Sequence, residues 1–143
     1  MKAVVIYESL TGNTRYVAER VADGLAEAGV GVTVCPAVEV DLQALSEADL
    51  VYVGSWTDGI FVVGQRPGRA GRIKNLPAMR GKRVVAYCTY ALNPGGTVGK
   101  IASMVRWLGG DVVGEVAVHR KRMDDGARDL VDLGLGRVRA AAS

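Results

Sequence analysis

The chain has 143 residues, the size of a single domain, and its 49% hydrophobic and 23% charged content is typical of a globular protein. No apolar run is long enough to span a membrane, and two cysteines, Cys35 and Cys88, are too few for a disulfide framework. Met1-Lys2 leads directly into a strand-like run without a signal peptide. We therefore expect one domain over residues 1–143, located in the reducing cytoplasm.

The net charge of +3 combines an acidic first part with a basic second part. Residues 1–61 carry a net charge of −6, and residues 62–143 carry +9. The basic residues form two clusters, Arg66, Arg69, Arg72, Lys74, Arg80, Lys82 and Arg83, and then Arg120-Lys121-Arg122. Such clusters bind acidic partners or simply remain solvated. Nucleic acid is not expected as a ligand, because the interleaved aromatic and basic residues of such surfaces are missing.

Apolar runs that indicate strands alternate along the chain with segments whose apolar residues recur at helical spacing. The predicted strands are Lys2–Tyr7, Gly31–Cys35, Leu50–Gly54, Arg83–Cys88 and Val112–Val118. The predicted helices are Thr14 to about Ala28, Asp41–Leu45, Ala70–Asn75, Thr97 to Leu108, and a last helix from Asp124 or Asp125 to Val138. This alternation predicts the α/β class, with a doubly wound parallel sheet of five strands in the order 2-1-3-4-5 and helices on both faces.

Ligands of such sheets bind at the carboxyl ends of the strands, so three loops are candidates for the site. They are Glu8–Asn13, Ser55–Gly64 and Thr89–Gly96. The first loop joins a strand to a helix through Ser9-Leu10-Thr11-Gly12-Asn13-Thr14. Its hydroxyls and the unpaired N–H groups of the helix start would hold an anion without a basic side chain. The alternative is an ordinary polar helix cap.

The other two loops carry aromatic residues. One holds Ser55-Trp56-Thr57-Asp58-Gly59, and the other holds Thr89-Tyr90 and Asn93. A flat ligand lying between Trp56 and Tyr90 would explain two aromatic residues in ligand loops. The alternative is that both rings only cover the end of the sheet.

The sequence Ser9-Leu10-Thr11-Gly12-Asn13-Thr14 resembles the phosphate loop of the flavodoxin family, Ser/Thr-x-Thr-Gly-x-Thr, and it lies at the same place in the chain. The resemblance implies flavin mononucleotide (FMN), with its phosphate in this loop and its ring between Trp56 and Tyr90. Two features depart from the family. Thr57 stands where a glycine commonly follows the ring-facing residue, and the isoelectric point is near 9.0, whereas flavodoxins are mostly acidic.

The resemblance implies an electron carrier that shuttles electrons between redox partners through bound FMN. The alternative is a flavin-dependent NAD(P)H:quinone-type reductase, with the glycine-rich stretch Gly64–Gly71 as a lid. A flavodoxin-like scaffold that has lost its flavin also stays open. The basic residues predict acidic redox partners that dock on Arg66, Arg69, Arg120, Lys121 and Arg122. No metal site is expected, because His119 is the one histidine.

Overall fold

A computed structural model describes residues 1–59 and 64–137. The strands of this part of the chain are β1 (Lys2–Tyr7), β2 (Gly31–Pro36), β3 (Leu50–Asp58), β4 (Arg66–Pro67), β5 (Arg83–Tyr90) and β6 (Asp111–His119). The helices are α1 (Asn13–Glu27), α2 (Leu42–Glu47), α3 (Ala70–Lys74), α4 (Thr97–Trp107) and α5 (Met123–Gly134). None of these helices combines the length and the apolar character needed to cross a bilayer.

The main sheet is parallel, and its strand order is β2-β1-β3-β5-β6. This order confirms the predicted topology, because β5 and β6 are the fourth and fifth predicted strands. The two-residue strand β4 is an addition that the sequence did not predict. It pairs antiparallel with the end of β3, where Thr57 lies opposite Pro67 and Asp58 opposite Arg66.

The central strands are apolar on both faces because helices cover both faces of the sheet. Along β1, Val4 and Ile6 pack into the core beneath α2, α3 and α4, whereas Val5 packs into the core beneath α1 and α5. The buried Tyr52 hydroxyl donates a hydrogen bond of 2.8 Å to the Leu130 carbonyl, which ties β3 to α5. Two apolar layers therefore hold the sheet rigidly and leave its carboxyl edge open.

Two strands continue further than predicted. We expected loops to begin at Ser55 and Thr89, but β3 continues to Asp58 and β5 to Tyr90. The extensions pair with each other, since Trp56 lies opposite Thr89. Between Gly54 and Gly59 the chain has no glycine or proline, and aromatic and β-branched residues such as Trp56 and Thr57 favour strands. Residues predicted for loops therefore lie on strand ends.

The remaining elements agree with the sequence apart from their bounds. Asp41 caps α2 by accepting a hydrogen bond of 2.9 Å from the Ala44 N–H, and α2 continues to Glu47. The last helix begins at Met123 and ends at Gly134. Val138, which we expected on this helix, lies outside the described residues, as do positions 60–63 of the second predicted loop.

Glycine at position 54 is required by packing, because a Cβ there would overlap the ring of Tyr87. Both residues are buried in the middle of the sheet. We expect Gly54→Ala to lower the free energy of unfolding by about 1–3 kcal/mol, the usual cost of overpacking, measured by urea denaturation. Gly71→Ala is the matched control, because a Cβ on this α3 glycine meets nothing within 4 Å. Equal stabilities of the two variants would contradict this account.

Candidate functional site

A cleft of about 170 Å³ opens at the carboxyl edge of the sheet. It brings together the first predicted loop with the ends of β3, β5 and β6. The residues that line it are Ser9, Leu10, Thr11, Asn13, Thr14, Trp56, Thr57, Thr89, Tyr90, Ala91 and Arg120. Four segments far apart in sequence thus converge where parallel α/β sheets bind ligands.

The polar end of the cleft is the start of α1. Gly12 precedes the helix with a φ of 100°, a conformation that favours glycine, and no side chain caps the helix. The first main-chain donor used within the helix is the Tyr16 N–H, which bonds the Gly12 carbonyl at 2.9 Å. The N–H groups of Asn13, Thr14 and Arg15 therefore have no helical acceptor. Together with the hydroxyls of the loop, this set of donors fits a phosphate group.

A buried hydrogen bond joins the polar end of the cleft to β5. The Thr14 and Thr89 hydroxyl oxygens lie 2.8 Å apart, and both residues are buried. Thr14 belongs to the first turn of α1, and Thr89 lies near the end of β5. This contact fixes the helix start relative to the strand that carries Tyr90.

Two aromatic side chains line the cleft. Tyr90 contacts His119 edge-to-face, with ring centroids 5.1 Å apart and planes at 87°. Trp56 packs against Gly68, where a Cβ would overlap the indole, and the Arg69 guanidinium carbon lies over the ring, 5.4 Å from its centroid. Each ring is therefore supported by neighbouring residues. Both rings offer the cleft an aromatic surface that a planar group could contact.

A second, smaller cleft of about 160 Å³ lies beyond the end of β3. Its lining residues are Thr57, Asp58, Gly59, Ala91, Leu92 and Asn93. The Asp58 carboxylate lies 3.4 Å from the Arg66 guanidinium and also accepts a hydrogen bond from the Gly59 N–H. Thr57 has strand backbone, whereas Gly59 has a φ of 103°. The glycine conformation thus occurs two residues later than the position where flavodoxins commonly carry glycine.

The two clefts contain most of the predicted site residues. Gly12 shapes the first loop without lining the cleft. Ser55 lines neither cleft, because its buried hydroxyl donates a hydrogen bond of 2.7 Å to the Gly68 carbonyl. Ser55 instead holds the segment that packs against Trp56.

Sequence reasoning missed one charged residue of the cleft. Arg120 was assigned to partner docking, but it lines the cleft, and its N–H donates a hydrogen bond of 2.9 Å to the Tyr90 carbonyl. The predicted strand order contained the signal, because the residue after the last strand must lie beside the end of its neighbour.

The five basic residues predicted for docking differ in their surroundings. Arg66 pairs with Asp58, and Arg69 pairs with Glu8 at 2.9 Å. Arg120, Lys121 and Arg122 are exposed and form no ion pair within the described residues. Among these five residues, the ones without an ion pair therefore lie after β6, and the two near β4 are paired.

No reactive thiol contributes to the site. Cys35 and Cys88 are free and buried. Burial raises the pKa of the Cys88 thiol to about 11, although the nearby Thr57 hydroxyl acts in the opposite direction. Cys88 is therefore a neutral thiol at neutral pH, and the cleft offers binding groups rather than a cysteine nucleophile.

The fold and the cleft define a doubly wound α/β protein with donors suited to a phosphate and two aromatic rings at the carboxyl edge of its sheet. The model of a flavodoxin domain matches residues 4–103. The chain belongs to the flavodoxin family, and the cofactor of this family is FMN.

Individual relatives agree with this assignment. A flavodoxin from Clostridium beijerinckii is 23% identical over 91% of this chain and 94% of its own length. The flavodoxin-like domain-containing protein BilS of Clostridium symbiosum is 37% identical over 41% of this chain, and the match covers only 34% of BilS. Among solved structures, a flavodoxin from the domain Archaea superimposes with a TM-score of 0.74 at 25% identity, over 95% of this chain and 98% of the archaeal chain.

The hydrogen bond between Thr14 and Thr89 can be tested without a cofactor. We expect Thr14→Val and Thr89→Val each to destabilise the FMN-free protein by about 1–3 kcal/mol, because each leaves a buried hydroxyl unpaired. The double variant should be more stable than either single variant, since both polar groups are gone. Urea denaturation of the four proteins measures this coupling. Strictly additive losses would contradict it.

Proposed function

We propose that this protein is a single-domain electron carrier that binds FMN in the cleft and exchanges electrons with partner proteins. The observation that carries the proposal is the junction of an uncapped helix start with two supported aromatic rings in one cleft. When bound, FMN supplies a group that takes up and releases electrons. The two apolar cores on one sheet support a single domain, and the free, buried cysteines are compatible with the cytoplasm.

The first loop is our proposed phosphate site. The hydroxyls of Ser9, Thr11 and Thr14 would donate to the phosphate together with the Asn13 side chain and the main-chain N–H groups of Asn13, Thr14 and Arg15. The side chain of Leu10, which is exposed, would cover the rim. These donors are neutral, so they bind the dianion through directed hydrogen bonds and the helix dipole.

The aromatic pair is our proposed ring site. Trp56 and Tyr90 would hold the two sides of the flavin and exclude water from them. Polar groups of the strand ends and the second cleft would contact the rest of the cofactor. These residues are Thr57, Asp58, Gly59, Thr89 and Asn93, and Ser55 would act indirectly through Gly68.

The proposed docking surface for acidic redox partners is the exposed segment Arg120-Lys121-Arg122. It lies beside the cleft, so a partner bound there would be close to the flavin. Its side chains form no ion pair within the described residues, so their charge is available to a partner. Arg66 and Arg69 were also expected to contact partners, but their carboxylate neighbours partly neutralise them.

The cofactor proposal is tested by titrating the FMN-free protein with FMN and with riboflavin, followed by flavin fluorescence and gel filtration. We expect the protein to quench the fluorescence of FMN and to retain FMN through gel filtration. Riboflavin should bind at least about tenfold more weakly, because it cannot use the charge-assisted bonds to the loop. Ser9→Ala and Thr11→Val should each weaken the binding of FMN by roughly tenfold and leave the binding of riboflavin almost unchanged.

Ser46→Ala is the matched control for these variants, because its hydroxyl bonds only the Gln43 carbonyl within α2. A protein that neither quenches nor retains FMN would overturn the proposal. Steady oxidation of NADPH by the FMN-loaded protein would instead favour the reductase.

The docking proposal is tested by reversing two charges that do not line the cleft, in Lys121→Glu/Arg122→Glu. Stopped-flow electron transfer is measured against an acidic ferredoxin and the basic cytochrome c. We expect the rate with ferredoxin to fall by about tenfold at low salt and to lose most of its salt dependence, with the opposite change for cytochrome c. Arg80→Glu is the control, since this exposed residue lies before β5, at the opposite edge. If the double variant and Arg80→Glu changed the electron-transfer rates equally, the docking surface would be rejected.

A further inference from the structure

A buried carboxylate lies directly before the phosphate loop. Only 5% of the Glu8 side chain is exposed, and its Oε1 accepts hydrogen bonds from Arg69 Nη1 at 2.9 Å and from Arg72 Nη1 at 2.8 Å. The second oxygen, Oε2, is buried without a hydrogen-bond partner in the described part of the chain. A charge is retained in the interior only when it is paired, so Glu8 depends on these two arginines.

Arg69 is held in an unusual conformation. Its φ of 49° is the only positive φ of a non-glycine residue within residues 1–59 and 64–137. Such a conformation costs free energy and persists only where surrounding contacts enforce it. Here the enforcing contacts are the ion pair with Glu8 and the packing of the guanidinium over the Trp56 ring.

The indole contacts this cation and also lines the cleft. Arg69 does not line the cleft, but Trp56 does. The backbone of Gly68 packs against the same indole, and the Gly68 N–H donates a hydrogen bond of 2.8 Å to the Trp56 carbonyl. Glu8, Arg69 and Arg72 together carry a net charge of +1, and within this cluster the Arg69 guanidinium lies over the Trp56 ring.

We propose that Arg69, held by Glu8, is a positioning residue that orients Trp56 and biases the site towards the reduced, more negatively charged cofactor. This inference rests on the proposed function. Uptake of two electrons and one proton adds one negative charge to FMN. A nearby cation stabilises that charge, and a nearby carboxylate opposes it. Arg69 and Glu8 should therefore change the preference for reduced FMN in opposite directions.

The test compares dissociation constants for oxidised FMN and for dithionite-reduced FMN. We expect Arg69→Gln to raise the constant for reduced FMN by about tenfold relative to that for oxidised FMN, whereas Arg69→Lys, which keeps the charge, should change the ratio less than about threefold. Glu8→Gln should shift the ratio in the opposite direction. Arg72→Gln is the matched control, because it removes the same charge and a bond to the same Glu8 oxygen but no contact with Trp56, so it should change the ratio less than Arg69→Gln does.

A second readout needs no cofactor. In a Trp107→Phe background, Trp56 is the single tryptophan of the chain. Removal of the highly exposed Trp107, with 88% exposure, should not disturb the core. We expect Arg69→Gln to increase acrylamide quenching of Trp56 fluorescence by about twofold. Arg69→Lys should keep most of the protection of Trp56 from acrylamide.

The outcomes separate this inference from the proposed function. If the unmodified protein binds FMN but Arg69→Gln leaves both the ratio and the quenching unchanged, the inference is wrong and the carrier function stands. A change of the same sign in Arg69→Gln and Glu8→Gln would also overturn it, because loss of structure alone would then explain both. If the unmodified protein binds FMN in neither redox state, both proposals fail. The Arg69→Lys comparison decides the result even if Glu8→Gln does not fold.

Discussion

Parallel pairing of β1, β3, β5 and β6 brings the residues that follow each strand to the same edge of the sheet. Every contact in the cleft depends on this constraint. The edge remains open because helices cover only the two faces, and the apolar cores beneath them fix the strand ends. The site consequently needs few contacts of its own to be ordered, and its polar groups remain available to a ligand.

The topology and the first loop could be predicted from the sequence because their signals are local. Uninterrupted apolar runs indicate strands that are covered on both faces, and Gly12 before a helical repeat marks the turn into α1. The positions of Trp56 and Tyr90 followed from the rule for the carboxyl ends of parallel strands. Both residues were expected on loops, whereas the structure has them on the ends of β3 and β5.

The other features depend on contacts between distant residues, which a single sequence does not reveal. Ser55 was expected to contact the cofactor, but its hydroxyl bonds the Gly68 carbonyl. Arg66 and Arg69 belong to one basic cluster in the sequence, yet each has a different carboxylate neighbour. Strand β4 has two residues, too few for any periodic pattern, and its pairing extends β3 beyond the predicted end.

The ion pair between Glu8 and Arg69 joins positions that are 61 residues apart. Glu8 is the residue that leads into the first loop, and Arg69 precedes α3. The ion pair therefore connects the first loop to the segment before α3. A chimaera that imports the first loop from an acidic relative, without the segment from Gly64 to Arg72, would leave either a buried carboxylate or two arginines without their partner. These two stretches should therefore be exchanged together when the protein is redesigned.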